Sequence, residues 1–384
     1  MKVLHIGKYW PPVSGGIESF LYDLTDELSS RPIKQTVLVH DSPTRNNSDT
    51  RNNTTVVFAP VLAQFAFAPI SIEFPFLLRK ICKTDPPDLI HIHLPNVSAF
   101  WLLLFARCRK IPWILHWHAD VVPSPHALSL RLLHPLYKWF EKKLLDRCAV
   151  VIGTSTAYIE ASEPLQAYRE KCQVIPLGID PDKALPTEEQ DERIASTRWL
   201  DDDLRVLFIG RLAYYKGVDV LLHAVARLEG VQLIVVGDGE KGQELRQKAQ
   251  ALNLTDRVQF TGVLNESDKQ RLLLSSEVLC LPSIERTEAF GVVLLEAMRS
   301  GKPVIASNLE GTAIPGVVEA GVTGFLPMPG SVDDLESVLI QCKDNRFGLA
   351  EMGKAGYQKL ISELSLAGAA SKVYSTYEYV SKGS

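Results

Sequence analysis

The sequence predicts an α/β protein built from two successive, doubly wound parallel sheets, and three observations indicate this fold. The chain has 384 residues, enough for about two to three domains. Short runs of continuously apolar, β-branched residues alternate with segments of helical period, and strands of this kind are typical of parallel sheets buried on both faces. This alternation occurs twice, with a polar segment between the two series.

The first series predicts an N-terminal Rossmann-like domain over residues 1–180. Strands are expected at 3–7, 35–40, 55–59, 89–93, 113–118, 149–153 and 173–176. Helices are expected at 18–28, 73–82, 98–107 and 128–146. Because strand–helix–strand units make right-handed crossovers, these elements should form one open sheet with helices on its faces.

The second series predicts a C-terminal domain over residues 204–368, after a polar, acidic linker at 181–203. Its strands are expected at 206–210, 232–237, 258–262, 278–281, 303–307 and 324–326, and its helices at 218–228, 240–252, 268–275 and 289–299. An aromatic-rich last helix, about 369–384, is expected to pack back on the first domain. Ligands should bind at the carboxyl ends of the strands, in the cleft between the two sheets.

Composition excludes several classes of protein. With 46% apolar and 22% charged residues, the chain is neither intrinsically disordered nor collagen-like. A net charge of −4 argues against a nucleic-acid-binding protein. Residues 1–180 carry 19 basic against 16 acidic side chains and the remainder 22 against 29, which suggests two domains with different roles.

Cysteine spacing and the N-terminal residues predict a cytoplasmic protein. The six cysteines are scattered without a CxxC pair, so neither a disulfide framework nor a structural zinc site is expected. The chain starts directly on a predicted strand, without the pattern of a signal peptide. The longest apolar run, 99–106, is far shorter than the roughly 20 residues of a spanning helix.

In the first half, two features lie at strand ends. Gly15 and Gly16 open a helix, where backbone N–H groups can bind an anion, although a tight turn without a ligand is the simpler alternative. His116 and His118 alternate along a strand and so share a face, with Asp120 nearby. Two histidines and one acid are too few for a complete zinc site. Each histidine could therefore either face a ligand or pack in the core, and the same two alternatives apply to His91 and His93.

In the second half, Arg211 and Lys216 lie between a strand and a helix, where two cations suit a diphosphate; Lys216 could instead be only a solvated first-turn residue. Residues 237–242 match the dinucleotide pattern GxGxxG. That pattern belongs after the first strand of its domain and needs an acid about 20 residues on. Here it follows the second strand, and the next strand ends in Thr261 and Gly262. A glycine turn near a ligand is therefore favoured over an NAD site.

The strongest pattern is a loop with Glu288 followed by a helix with Glu296. With the helix starting near Phe290 and Gly291, the two carboxylates would lie on roughly the same face, two turns apart, and could accept hydrogen bonds from sugar hydroxyls. A solvated pair of helix acids is the alternative. The apolar neighbours of Glu296 argue against it, since buried acids need partners.

With these motifs in order, the chain resembles glycosyltransferase family 4, the group 1 nucleotide-sugar transferases with the GT-B fold of two facing Rossmann-like domains. The resemblance covers nearly the whole chain. It is carried by the Gly15-Gly16 loop, the strand end at His118, Arg211 with Lys216-Gly217, Gly237-x-Gly239, Phe260-x-Gly262, Glu288-x7-Glu296, and the segments 301–306 and 321–324.

The resemblance implies a retaining, metal-independent transfer from a nucleotide-diphosphate sugar. Arg211 and Lys216 would bind the diphosphate, Glu288 the donor sugar and Glu296 the ribose. His118 would contact the sugar or the oxocarbenium-like centre. Backbone N–H groups would come from Gly16, beside Gly15, and from Phe290, Gly291 and Val292, with Gly237 in a turn at the ligand. No metal and no further cofactor are expected.

Three departures leave residue assignments open. Glu285 competes with Glu288, although only Glu288 keeps the seven-residue gap to Glu296. Ala313 stands where these enzymes often place a glycine. His116 precedes His118 by two residues, and His118 is favoured by its distance from Pro112 and by the Asp120 that follows.

The acceptor is predicted to be a glycan or a lipid-linked glycan of surface polysaccharide biosynthesis. Residues 131–147 mix aromatic and basic side chains, which suits peripheral contact with an anionic inner membrane; a core-packing helix with a solvated basic edge fits equally. The motif around His118 resembles bacterial mannosyltransferases and favours GDP-mannose over a UDP-sugar. A sugar phosphorylase, a nucleotide-sugar hydrolase, a non-catalytic sensor and an NAD-dependent dehydrogenase are the alternatives.

Overall fold

The structure is a computed structural model. It describes residues 1–13, 15–41, 50–51, 53–65, 68–122, 128–183, 199 and 202–382. The chain separates into two compact units, the first formed by Met1–Gly178 with Leu366–Ser384 and the second by Ile179–Ser365. The first unit thus ends two residues before the predicted boundary at 180. Most of the predicted linker lies outside the described residues.

The first unit contains a mainly parallel sheet. Its strands are β1 (Lys2–Ile6), β2 (Lys34–His40), β3 (Thr50–Arg51), β4 (Thr54–Ala59), β7 (Leu89–Leu94), β8 (Trp113–Trp117), β9 (Val150–Gly153) and β10 (Cys172–Val174). Their order is β10-β9-β8-β7-β1-β2-β4-β3, and β3 alone among them runs antiparallel. The strands β5 (Ala63–Phe65) and β6 (Ala68–Ile70) form a separate hairpin. All seven predicted strands are present; β3, β5 and β6 were not predicted.

The α-helices of the first unit are α1 (Gly16–Leu28), α2 (Glu73–Thr84), α3 (Leu128–Arg147) and α4 (Thr156–Ala161), together with the last helix of the chain. The α-helix predicted at 98–107 is wrong. This segment forms 3₁₀ turns at Val97–Leu103 and Cys108–Lys110. An apolar pattern over two turns cannot separate a period of 3.0 from one of 3.6, and the Asn96 side chain starts the tighter turn by accepting the Ser98 N–H.

The second unit contains a wholly parallel sheet. Its strands are β11 (Leu204–Ile209), β12 (Val231–Val236), β13 (Val258–Gly262), β14 (Val278–Leu281), β15 (Val304–Ala306) and β16 (Gly324–Phe325). They follow the order β13-β12-β11-β14-β15-β16, and every residue of β12 and β14 is buried. The six predicted strands are all present. Continuous apolar strands predicted this burial correctly, because helices cover both faces of such a sheet.

The helices of the second unit are α5 (Val218–Ala226), α6 (Gly242–Ala251), α7 (Glu266–Ser275), α8 (Val292–Arg299), α9 (Ile314–Val317), α10 (Val332–Asp344) and α11 (Arg346–Glu363). The last three were not predicted. Helix α11 contains Gly348, Gly353 and Gly356, which lower helix propensity. A Cβ on Gly353 would lie 1.9 Å from the carbonyl oxygen of Gly301, so close packing decides this residue against propensity.

The last helix, α12 (Leu366–Lys382), belongs to the first unit. The Tyr377 hydroxyl lies 2.6 Å from Nδ1 of His91 on β7, and the Thr376 hydroxyl donates to Gln173 on β10. Residues 369, 370, 373, 376, 377 and 380 form its buried face. Within the described residues, no helix combines the length and apolarity needed to cross a bilayer.

Candidate active site

The candidate site of the second unit lies where β11 and β14 are neighbours. In order along the chain, the sheet reads 3-2-1-4-5-6, and its first and fourth strands, β11 and β14, are adjacent. Their helical connections leave in opposite directions, which opens a crevice at the carboxyl ends of these two strands. The loop after β11 carries Arg211 and Lys216, and the loop after β14 carries Glu288. A backbone hydrogen bond of 2.8 Å from Ile284 N to Tyr215 O joins the two loops.

Lys216 and Glu288 form a nearly buried ion pair in this crevice. The Nζ of Lys216 lies 2.5 Å from Oε2 of Glu288, and the two side chains are only 11% and 10% exposed. The Ser283 hydroxyl donates to the same Oε2 at 3.0 Å. Lys216 is therefore not a solvated first-turn residue. A buried carboxylate held by two donors is a fixed acceptor.

The electrostatics of Lys216 favour its charged form. Burial acts to lower its pKa, but the Glu288 carboxylate, Tyr215 and the hydrogen bond from Lys216 to Glu288 outweigh burial, so the pKa is raised. The ammonium has three donors and Glu288 takes one of them, so Lys216 can still donate to a bound anion. A fixed cation at this position can stabilise a diphosphate leaving group.

Arg211 lies on the same loop and its side chain is half exposed. Its Nη2 lies 3.0 Å from Oε2 of Glu240, which belongs to the loop after β12. The loops after β11 and β12 are also joined by backbone hydrogen bonds from Leu212 N to Asp238 O and from Lys241 N to Leu212 O. This contact places Arg211 at the open side of the site.

Gly237 allows the loops after β11 and β12 to pack closely against each other. It has φ +127°, and a Cβ there would lie 2.0 Å from the carbonyl oxygen of Gly210. A Cβ on Gly239 would come within 2.6 Å of the Leu212 carbonyl oxygen. The first two glycines of the GxGxxG pattern are therefore explained by close packing of two loops, which favours a glycine turn over a dinucleotide fingerprint.

Helix α8 begins at Val292 with Gly291 as its N-cap residue, which agrees with the predicted start near Phe290 and Gly291, whereas the predicted range 289–299 begins three residues too early. Glu288 lies four residues before the helix. Glu288 and Glu296 consequently do not share a helix face, because the left-handed Gly291 turns the chain between them. Phe290 is buried, and the first N–H groups of α8 lack intrahelical partners and can bind an anion or a hydroxyl.

Glu296 is the second predicted carboxylate, and it lies in the second turn of α8. Its pKa is raised, chiefly by burial and by Glu266, while Lys269, Arg299 and Lys183 act in the opposite direction. A carboxylate in this setting gains from accepting hydroxyl donors, as the two ribose hydroxyls of a nucleotide would supply.

The structure also separates the two competing glutamates. Glu288 is buried against Lys216, whereas Glu285 is half buried and its carbonyl accepts the Glu288 N–H. Ser283 was not predicted to have a role. Its position two residues after a predicted strand is the feature of the sequence that could have identified it. Ala313 belongs to the loop beside this one, since its N–H donates to Ala289 O and Arg286 donates to Gly311 O.

The predicted site residues of the first unit, Gly15, Gly16 and His118, lie after strands as expected, but Gly16 is exposed and His118 is buried. Gly15 is the N-cap residue of α1, and Gly16 is exposed in its first turn; Ser14 lies outside the described residues. His118 follows β8 and is only 4% exposed, with its Nε2 3.1 Å from Nδ1 of His93. The structure therefore places the His118 ring among other histidines rather than on an open surface.

The comparisons with known proteins agree with this geometry. A family model for glycosyl transferases group 1 matches residues 189–359, and a model for glycosyltransferase family 4 matches residues 14–183. The chain is 29% identical to the O-antigen chain mannosyltransferase C of Escherichia coli, over 90% of this chain and 89% of that protein. It is also 29% identical to the D-rhamnosyltransferase WbpZ of Pseudomonas aeruginosa, over 94% and 92%.

Solved structures show the same fold at lower identity. Sucrose-phosphate synthase from Thermosynechococcus elongatus superposes with a TM-score of 0.79 at 21% identity over the full length of both chains. Anabaena HepE in complex with UDP-glucose superposes with a TM-score of 0.75 at 23% identity, over 99% of this chain and 100% of that one. The two family models between them span both Rossmann-like units, the fold is GT-B, and the chain belongs to the group 1, family 4 glycosyltransferases.

Proposed function

We propose that the protein is a retaining, metal-independent hexosyltransferase that transfers mannose from GDP-mannose to a glycan or lipid-linked glycan in surface polysaccharide biosynthesis. The observation that carries the proposal is the buried Lys216–Glu288 pair at the crevice between β11 and β14. A fixed cation suits a diphosphate, and a fixed carboxylate beside it suits the hydroxyls of the attached sugar.

The proposed reaction breaks the bond between C1 of the donor sugar and the diphosphate oxygen. Lys216 and Arg211 offset the negative charge that grows on the diphosphate as this bond breaks. The acceptor hydroxyl attacks C1 from the same face, and its proton passes to the departing phosphate oxygen. Glu288 holds the sugar hydroxyls together with the N–H groups of Phe290, Gly291 and Val292, and Glu296 holds the ribose.

Three residues of the first unit, together with Gly237, complete the proposal. The resemblance assigns the Gly16 N–H, in the turn with Gly15, to the donor phosphate, and His118 to the sugar. The His118 ring is only 4% exposed and its backbone N–H donates to Leu94 O, so the proposed contribution of His118 includes holding this strand end in place. Gly237 acts by allowing the loop that holds Arg211 to approach.

The donor is proposed from the relatives. By their names, the Escherichia coli relative is a mannosyltransferase of the O-antigen chain and the Pseudomonas aeruginosa relative is a D-rhamnosyltransferase. A UDP-sugar is the competing donor, since HepE was solved with UDP-glucose. The proposal excludes a diphosphate-bound metal, because Lys216 and Arg211 provide the positive charge that such an ion would supply.

Calorimetric titration with GDP, UDP and NAD in EDTA tests the nucleotide, and transfer from GDP-mannose without added Mg²⁺ or Mn²⁺ tests the reaction. Selective GDP binding and transfer are the expected results. Binding of UDP instead of GDP would change the proposed donor to a UDP-sugar but would leave the assigned site residues unchanged. Binding of NAD alone, or nucleotide release that needs no acceptor, would favour the dehydrogenase or the hydrolase and contradict the proposal.

The exposed face of α3 supports a peripheral membrane contact, through which a lipid-linked acceptor would be reached. Leu132, Leu136 and Trp139 recur at helical spacing and are 73%, 56% and 55% exposed, so these residues do not pack in the core as one alternative required. Lys142, Lys143 and Arg147 follow on the same helix and are also exposed. Exposed apolar side chains with adjacent cations are typical of a helix that lies on an anionic bilayer.

A further inference from the structure

Five histidines of the first unit lie side by side on one face of its sheet. The strands β1, β7 and β8 are neighbours, with His5 opposite His91 and His93 opposite His116 in the register. Because side chains alternate along a strand, His91 and His93 share a face, and the chain continues this alternation from His116 to His118. We call these five residues the histidine cluster, and its members are 0–4% exposed.

The last helix reaches the histidine cluster through Tyr377. This residue of α12 is fully buried, and its hydroxyl lies 2.6 Å from Nδ1 of His91. Nε2 of His91 lies 3.2 Å from Nδ1 of His116. The rings of His116 and His118 are parallel within 2°, with centroids 4.3 Å apart, and Phe20 of α1 packs edge-on against both. A continuous series of contacts thus joins α12 to the strand end at His118.

The direction of the first hydrogen bond follows from the chemistry of the phenol. Burial raises the pKa of Tyr377 well above its usual value, so the hydroxyl keeps its proton. Among the described residues, the hydrogen-bond partner of this hydroxyl is His91 alone. If the hydroxyl accepted a proton from His91, its own proton would be buried without a partner, which is costly. The Tyr377 hydroxyl therefore donates to Nδ1 of His91.

This one bond sets the tautomers of two histidines. Burial, with the neighbouring histidines, lowers the pKa of His91 and His116 well below the usual value, so each ring is neutral and carries one proton. Because Nδ1 of His91 accepts, the proton of His91 lies on Nε2 and is donated to Nδ1 of His116. His116 must then carry its own proton on Nε2. Among the described residues Nε2 of His116 has no partner, so the bond from His91 selects this tautomer.

We propose that Tyr377 is a positioning residue of the transferase, which fixes the tautomers of His91 and His116 and thereby orients the ring of His118. The inference rests on the proposed function, in which His118 contacts the donor sugar or the oxocarbenium-like centre. A change of tautomer in His116 turns the dipole of the ring that is stacked on His118, and so changes the electrostatic field at His118. Tyr377 acts through other residues and is not itself catalytic.

Nitrogen NMR tests the tautomers directly. Long-range ¹H–¹⁵N spectra of protein labelled with ¹⁵N-histidine distinguish protonated from unprotonated ring nitrogens, and His91→Gln and His116→Gln assign the signals. In the wild type, both residues should carry the proton on Nε2. Tyr377→Phe, which removes only the hydroxyl, should no longer show this single tautomer at both residues. Protonation of His91 at Nδ1 in the wild type, or unchanged tautomers in Tyr377→Phe, would overturn the proposal.

Kinetics separate a positioning role from a merely structural one. With GDP-mannose as donor and octyl α-mannoside as acceptor probe, Tyr377→Phe should lower kcat about fivefold and leave KM for the donor unchanged, because His118 is proposed to act at the reacting centre. Thr376→Val is the matched control, since it removes a buried hydroxyl of the same helix that donates to Gln173 on β10.

The control should lose stability, measured by thermal unfolding, and keep the wild-type kcat and histidine tautomers. An equal loss of kcat in Thr376→Val and Tyr377→Phe, or wild-type kcat in Tyr377→Phe, would contradict the positioning role. The NMR measurement needs no activity. Absence of transfer by the wild type therefore contradicts the proposed function, whereas unchanged tautomers in Tyr377→Phe contradict the inference about Tyr377.

Discussion

The Nζ of Lys216 lies 2.5 Å from Oε2 of Glu288, although the two residues are 72 positions apart in the chain. The contact exists because β11 and β14 are adjacent and each is followed by a loop that reaches the same crevice. The hydroxyl of Ser283, two residues after the end of β14, donates to the same carboxylate oxygen. Donor binding and stability should therefore both depend on this pair.

Lys216→Ala should lower kcat/KM for sugar transfer by about 100-fold or more, because a positioned cation no longer offsets the charge of the leaving diphosphate. Steady-state kinetics with the donor identified by titration measure this effect. Lys354→Ala is the matched control, since Lys354 is exposed and paired with Glu351 on α11. An unchanged rate in Lys216→Ala would remove Lys216 from the site.

Glu288→Leu should lower the free energy of unfolding by about 3 kcal/mol, because it leaves the buried Lys216 ammonium without its carboxylate. The double variant Lys216→Met with Glu288→Leu should recover most of that loss, since no unpaired charge remains, and should stay inactive. Urea denaturation of both variants measures the two values. Equal destabilisation of the single and double variants would show that the charge pair is not what stabilises the loops.

Gly237→Ala should destabilise the second unit by roughly 2–3 kcal/mol and raise KM for the donor. The added Cβ would meet the Gly210 carbonyl at 2.0 Å, at a positive φ, and would push away the loop that bears Arg211. Thermal unfolding and donor titration measure both effects. Gly316→Ala is the control, because a Cβ there meets no atom within 4 Å. A Gly237→Ala protein with wild-type stability would refute the close contact.

Glu141 makes stability depend on pH. Burial, together with the charge of Asp120, raises the pKa of Glu141 to about 7. The folded state therefore holds a proton that the unfolded state has released between about pH 4.5 and 7. Stability is highest below the unfolded pKa and falls as the pH rises through 7.

Glu141→Gln should remove this dependence. At pH 8 the variant should be more stable than the wild type by up to about 3 kcal/mol, and at about pH 4, below the unfolded pKa, the two should be nearly equal. Urea denaturation at several pH values measures the difference. Glu160→Gln, on the exposed side of α4, should follow the wild type. Parallel pH profiles for wild type and Glu141→Gln would refute the assignment.

The exposed face of α3 predicts binding to anionic vesicles. The variant Leu136→Ser with Trp139→Ser should reduce co-sedimentation with vesicles that contain phosphatidylglycerol by about fivefold or more, because it removes exposed apolar area that would insert into the bilayer, together with the ring that Lys143 approaches. Phe347→Ser is the control, since Phe347 is 80% exposed on α11 of the second unit. Wild-type protein that does not sediment with these vesicles would contradict the contact.

The strands were predictable because parallel strands covered on both faces are continuously apolar, and such runs are visible without any tertiary information. Two helices near the end of the second unit were harder to predict. Residues 332–363 were not recognised as α10 and α11, because the glycines of α11 lower its propensity while its packing on Gly301 and Met298 stabilises it. Residues 97–103 show the opposite error: their apolar pattern predicted an α-helix, but the segment forms 3₁₀ turns.

The sequence by itself determined the two α/β units and the order of the motifs, since both follow from local apolar periodicity and from residues that stand directly after strands. Only the tertiary structure decided which side chains meet. Sheet order places β14 beside β11 and so pairs Glu288 with Lys216 and Ser283. Register places His93 opposite His116. Contacts between distant segments depend on strand adjacency, and no local pattern encodes it.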